Sequence, residues 1–168
     1  MSGRAWAVTL TAMYLLISTE AWADWGYAKW GMSVKEVVDA SGGAALPISA
    51  QEKNGAKFST DLFDPRLVSD TTIDAFKFHV VFYFHSSSGE LSMIDMNLIN
   101  REYYADVSSA VHRKYGKPIS DSESQYHSRT TWQTDSNQVE LSVIPGTPVA
   151  RSVSLRYTPR ISKDNAGL

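Results

Sequence analysis

Residues 76–98 read FKFHVVFYFHSSSGELSMIDMNL, and this stretch decides the fold. Large apolar side chains recur at every second position of residues 76–85, which is the period of a β-strand. Residues 91–99 show a second run of the same kind. Ser87-Ser88-Gly89 between the two runs is typical of a tight hairpin loop with glycine in the left-handed conformation. The stretch therefore predicts two antiparallel strands joined by a short turn.

The length of that loop sets the register of the hairpin. A three-residue loop places His85 opposite Leu91, and the next inward steps pair Phe84 with Ser92 and Phe82 with Ile94. The apolar residues of both strands then share one face, as a half-buried antiparallel sheet requires. We predict that the other face, which mixes aromatic and polar side chains, is exposed and binds a partner. The six residues of this predicted binding face are His79, Tyr83, His85, Met93, Asp95 and Asn97.

The amino terminus has the layout of a signal peptide. Arg4 precedes an apolar run over residues 5–17, which is too short to span a bilayer. Ala21-Trp22-Ala23 supplies small residues at the two positions that a signal peptidase reads. We therefore predict a cleaved signal peptide over residues 1–23, a mature chain that starts at Asp24, and a periplasmic or secreted protein.

Composition restricts the classes of partner. The formal net charge is −2 and no basic stripe is present, which argues against nucleic acid as a partner. The chain has no cysteine, so the hydrophobic core alone stabilises the fold, and no thiol can carry a lipid anchor. No phosphate-binding glycine loop or calcium-loop spacing occurs, so we predict no cofactor. We predict a single domain over residues 24–158 and a flexible tail over residues 159–168.

Two helices frame the predicted strands. Ser33 and Glu36 have the spacing of a capping box, which starts the first helix at Ser33, and Gly42-Gly43 ends it. Asn100 is predicted to cap the second helix, which ends at Gly116. We predict loops over residues 43–55, 61–74 and 120–128, and further strands over residues 57–63, 130–134, 139–144 and 153–157.

These elements predict an α+β fold in which two short helices pack on an antiparallel sheet. The order is helix-strands-helix-strands, with a repeat of the same elements in the two halves. That order, with Trp-Gly-Met-Ser-x-x-Glu-Val at residues 30–37 and Tyr-Gly-Lys-Pro at residues 115–118, resembles the beta-lactamase inhibitory protein-like and small outer-membrane lipoprotein-like group. The resemblance implies a non-catalytic, protein-binding role in the periplasm or outside the cell. The lipoprotein members carry an acylated cysteine that this chain lacks, so membrane anchoring is not implied.

The sequence therefore predicts an exported, non-catalytic module that binds another exported or cell-envelope protein through the exposed sheet face. Two alternatives stay open. One is a small hydrolase or metal-dependent enzyme using His79 and Asp95, which needs a pocket that brings a histidine and a carboxylate within hydrogen-bond reach. The other is a carrier of a small apolar ligand, which needs a cavity between helix and sheet.

Overall fold

The computed structural model describes residues 25–146 and 151–160. The predicted signal peptide, its cleavage site and the tail beyond residue 160 lie outside these residues. Within them the chain forms three α-helices, one short 3-10 helix and eight strands. In chain order these are α1 (Val34–Ala40), β1 (Leu46–Pro47), α2 (Ala50–Gly55), β2 (Phe63–Ile73), β3 (Phe76–His85), β4 (Leu91–Leu98), the 3-10 helix (Arg101–Tyr103), α3 (Tyr104–Tyr115), β5 (Ser120–Glu123), β6 (Ser128–Gln133), β7 (Asn137–Ile144) and β8 (Ser152–Pro159).

All eight strands of the described residues join in one antiparallel sheet, in the order β1-β2-β3-β4-β8-β7-β6-β5. The sheet consists of two four-stranded meanders, β1 to β4 and β5 to β8, that meet where β4 pairs with β8. At this seam Ile94 lies opposite Tyr157 and Asn97 lies opposite Ser154.

The predicted α+β fold with helix-strands-helix-strands order is wrong. Only about a fifth of the described residues are helical, and one of their three α-helices, α2, lies between β1 and β2. The prediction fails because polar segments with the composition of loops belong to strands. Their backbone N–H and C=O groups form the hydrogen bonds of the sheet independently of the side chains, so the sheet is larger than the apolar pattern indicates.

Four segments differ in secondary structure from the prediction. The acidic stretch read as a loop forms most of β2, and residues 120–123 of a predicted loop form β5, whose side chains are all exposed. The predicted strand over residues 57–63 is instead mostly turn and bend that precedes β2. Residues 43–55 contain β1 and α2, where a surface loop was predicted.

The register predicted for the central hairpin is confirmed over most of its length. Phe82 lies opposite Ile94 and Tyr83 opposite Met93, but the pairing then shifts, and Phe84 lies opposite Leu91 rather than Ser92. The His85 amide donates to the Glu90 carbonyl at 2.8 Å, so the loop is one residue longer than predicted. A bulge at Ser92 absorbs the difference, and the apolar face stays continuous.

Of the two predicted helix caps, the one at α1 is confirmed and the one at α3 is wrong. The capping box of α1 is confirmed, since the Ser33 hydroxyl accepts from the Glu36 amide and the Glu36 carboxylate accepts from the Ser33 amide at 2.8 Å. Asn100 does not cap α3. Its side chain instead joins the start of β3 to the end of β4, accepting from the Lys77 amide at 2.8 Å and donating to the Ala75 carbonyl at 2.9 Å. None of the helices within the described residues has the length and apolar character needed to cross a membrane.

The main core lies on the face of the sheet that carries Phe78, Val80, Phe82 and Phe84, which is the face predicted to be buried. The helices α1 and α3 cover it, and they contribute Val37 and, from α3, Val107 and Val111. Both of these helices lie on this side of the sheet, and the short segment around α2 packs on the opposite side. We call that opposite side the outer face.

Candidate functional site

The predicted binding face is covered, and the prediction that it is exposed is wrong. Tyr83 and Asp95 each keep only 1% of their surface accessible, and Met93 keeps 3%. The segment around α2 folds back over them, and Phe58 with neighbouring apolar residues packs on Tyr83 and Met93 as a second, smaller core. The pattern of one hairpin shows which residues share a face, but it does not show whether a distant segment covers that face.

A cleft of about 270 Å³ remains between α2 and the outer face. We call it the α2 cleft. Four of the six predicted residues line it, whereas Met93 lies in the small core beside it. His85 lies apart, with Nδ1 2.9 Å from the Ser87 hydroxyl. The residues that line the α2 cleft are Ile48, Glu52, Gly55, Ala56, Lys57, His79, Val81, Tyr83, Asp95 and Asn97.

Asp95 is the buried carboxyl group of the α2 cleft. Its Oδ2 atom accepts a hydrogen bond from Asn97 Nδ2 at 2.8 Å, whereas its Oδ1 atom is buried and has no hydrogen-bond partner among the described residues. Burial raises the pKa of Asp95, and the Asn97 hydrogen bond and the charge of Arg156 oppose this shift. The site therefore holds an acceptor oxygen that the fold leaves unsatisfied.

Arg156 lies opposite Asp95 on the neighbouring strand β8, but it is engaged elsewhere. Its guanidinium stacks over the Phe58 ring at 3.5 Å, and one nitrogen lies 3.4 Å from Glu140 Oε1. Arg129 Nε lies 3.5 Å from the same oxygen. Both are ion-pair distances, and Glu140 Oε1 makes no hydrogen bond among the described residues. The charge of Arg156 is thus shared among Phe58, Glu140 and Asp95 rather than assigned to Asp95.

His79 lies at the rim of the cleft and is bonded to groups other than Asp95. Its Nδ1 atom is 2.8 Å from Asp70 Oδ1, and its Nε2 atom is 3.9 Å from Glu52 Oε1. Hydrogen bonds from Ser49 lower the pKa of Glu52 and keep it ionised. The rim is therefore acidic, and the His79 and Asp95 pair that the enzyme alternative requires is not formed.

Tyr83 contributes a buried phenol to the same cleft. Burial raises its pKa to about 12, and the nearby charge of Asp95 acts in the same direction. Tyr83 is therefore a neutral wall of the cleft at physiological pH. In residues 25–146 and 151–160, no cluster of three or more histidine, aspartate or glutamate side chains has an arrangement that could hold a metal ion.

The half of the cleft that α2 supplies is not among the predicted site residues. A signal was present, because Ser49 and Glu52 have the same spacing as Ser33 and Glu36, and the structure shows a complete capping box at each pair. The helix was overlooked because it carries no apolar stripe, and none of its residues is buried.

Compared with protein-family models, with curated proteins and with solved structures, the chain has no match. The resemblance to the beta-lactamase inhibitory protein-like and lipoprotein-like group therefore stays a prediction.

Proposed function

We propose that this chain is an exported, non-catalytic module that binds another exported or cell-envelope protein by taking a basic side chain of that partner into the α2 cleft. The layout of residues 1–23 supports export. The unsatisfied carboxyl oxygen of Asp95 is the observation that supports the binding role. The binding region lies on the outer face, as predicted for the partner site, but it is a cleft and not an open surface.

An unsatisfied buried acceptor is costly to a fold. A buried polar atom without a partner costs about 1–3 kcal/mol, and more when it is charged. An incoming ammonium or guanidinium group would supply both N–H donors and the opposite charge, and so would offset that cost in the bound state. Asp95 is suited to this role because its remaining partner, Asn97, is neutral.

The walls of the cleft fit the stem of a long basic side chain. Ile48, Ala56 and Val81 line the cleft with apolar surface, on which the methylene groups of lysine or arginine can lie. Glu52 adds negative charge at the rim, and Asp70 lies beyond His79. Lys57 also lines the cleft. Its positive charge lowers the pKa of Asp95, as the charge of a bound basic side chain would.

A titration with short peptides tests the binding role. Nuclear magnetic resonance of the mature protein would follow the amide signals of Asp95 and Asn97 while Ac-Gly-Arg-Gly-NH2 is added. A citrulline peptide of the same shape but without charge is the matched ligand control. We expect saturable shifts at these two residues with the arginine peptide and much smaller shifts with the citrulline peptide.

Two variants complete that experiment. Asp95→Asn keeps the shape of the side chain and should abolish the response to the arginine peptide. Asp135→Asn changes an exposed aspartate in the β6–β7 turn and should leave the response unchanged. Equal shifts with both peptides, or an unchanged response in Asp95→Asn, would contradict the proposed role of the cleft.

Export is tested separately. Mass spectrometry of the protein recovered from the periplasm or the medium should find Asp24 at the amino terminus. Recovery of exported protein that still begins at Met1 would overturn the predicted cleavage.

A further inference from the structure

We propose that a groove on the opposite side of the sheet, between α3 and the strands, binds a single-chain amphiphile with an anionic headgroup. The groove has a volume of about 300 Å³, which falls at the lower end of the range for small-molecule sites. A second hollow of about 330 Å³ adjoins it and shares Ile73, Lys114 and Tyr157 with it. Because the two hollows share these lining residues, an alkyl chain can extend from one into the other.

Each end of α3 is held by a side chain from the second half of the chain. The C-terminal end of α3 is fixed by Trp132, whose Nε1 donates to the Gly116 carbonyl at 2.9 Å. The N-terminal end is fixed by Arg151, whose guanidinium stacks over Tyr104 at 3.6 Å. Only Val107 and Val111 of the helix are buried, so its middle rests on the sheet through two side chains of moderate size.

The lining is predominantly apolar. One wall is a stripe of α3 at helical spacing that carries Val107, Ala110 and Val111. The facing wall is the β2–β3 turn, where Ile73 keeps 46% of its surface exposed at the rim. The base of the groove is formed by Phe78, Leu155 and Tyr157. A hydrocarbon tail would bury this surface, including the exposed part of Ile73.

The charges at the mouth determine which headgroup fits. Arg113 and Lys114 line the mouth, and neither forms an ion pair with a carboxylate among the described residues. Lys114 Nζ lies 5.0 Å from the centre of the Tyr115 ring. Asp74 is the negative group at the mouth, so two cations face one anion. The excess of positive charge favours a carboxylate or sulfate over a neutral or cationic head.

Isothermal titration calorimetry with probes of one chain length tests the assignment. The probes are dodecanoate, dodecyltrimethylammonium and dodecanol, each below the concentration at which it aggregates. We expect dodecanoate to bind with one site per chain and the other two to bind about two- to fivefold more weakly, which is the effect of one exposed ion pair. Equal affinity for all three probes, or no binding of dodecanoate, would overturn the proposal.

Matched variants locate the site. Lys114→Glu reverses an exposed charge at the mouth and should weaken dodecanoate binding about fivefold or more, whereas Lys117→Glu reverses an exposed charge just beyond α3 and should have little effect. Ala110→Phe should fill the groove and abolish binding, whereas Ala105→Phe places the same ring on the exposed side of the helix. Unchanged binding in both Lys114→Glu and Ala110→Phe would place the ligand elsewhere and refute the inference.

The two sites lie on opposite faces of the sheet, so each can be tested without the other. The α2 cleft lies on the outer face, so Lys114→Glu should not alter the response to the arginine peptide. Failure of dodecanoate to bind would leave the proposed function standing, and failure of the peptide titration would leave the groove standing.

Discussion

Tyr83→Ala measures whether the segment around α2 covers the outer face. Tyr83 is 1% exposed, and its ring meets the edge of Phe58 with centroids 6.2 Å apart. Truncation of a fully buried aromatic side chain costs about 3–5 kcal/mol, whereas loss of contacts on an open sheet face costs about 1 kcal/mol or less. Because both faces of β3 are buried here, we expect Tyr83→Ala to destabilise the domain about as much as Phe82→Ala.

Urea denaturation followed by circular dichroism provides the measurement. With a slope of about 2 kcal/mol per molar urea, a loss of 3–5 kcal/mol lowers the midpoint by about 1.5–2.5 M. Tyr83→Phe is the control, since it removes only the phenolic oxygen and should cost about 1 kcal/mol.

A double-mutant cycle assigns the effect to the covering segment. Tyr83→Ala, Phe58→Ala and the double variant should give a coupling free energy of about 0.5–1.5 kcal/mol, as expected for an edge-to-face aromatic pair. A loss near 1 kcal/mol for Tyr83→Ala together with zero coupling would show that the outer face is open, and the α2 cleft would then not exist.

Three further variants test other parts of the structure. Ser33→Ala removes the cap of α1 and should lower the free energy of unfolding by about 1 kcal/mol; an unchanged urea midpoint would contradict the capping box. Trp132→Phe loses the hydrogen bond to the end of α3 and part of a buried ring, and should cost about 2 kcal/mol in the same assay; a loss below about 0.5 kcal/mol would show that the indole does not fix the helix. Burial raises the pKa of Asp95, so the native state binds its proton more tightly than the unfolded state, and stability relative to Asp95→Asn should fall as the pH rises from about 4 towards 7. A difference between wild type and Asp95→Asn that does not change with pH would refute the raised pKa.

The sequence predicted the parts of this fold that depend on local patterns. The β3–β4 hairpin and the α1 cap were correct because alternation, a glycine turn and a capping box act over a few residues. The strands β2 and β5 were not predicted because their polar side chains hide a role set by backbone pairing with the next strands in the chain, β3 and β6. The order of strands across the sheet, with β8 beside β4, has no local signal at all.

In the candidate site, too, the local arrangement was predictable and the long-range packing was not. Tyr83, Asp95 and Asn97 were grouped correctly because residues two apart on paired strands share a face. Their burial could not be predicted, since it depends on where a helix without an apolar stripe settles. The helix that carries Glu52 could have been predicted from the sequence, because Ser49 and Glu52 repeat the capping-box spacing of Ser33 and Glu36.

The seam between the two meanders also determines when the sheet can be completed during synthesis. The first meander is fully made once residue 98 has left the ribosome, yet the partner of its last strand, β8, is the last of the described strands to be synthesised. Over that interval the stretch from Ile94 to Asn97 presents bare amide and carbonyl groups next to apolar side chains. Such an edge pairs readily with strands of other chains. A nascent chain that stalls before residue 152 is therefore the species most prone to aggregate, and a factor that shields the β4 edge would act before β8 emerges.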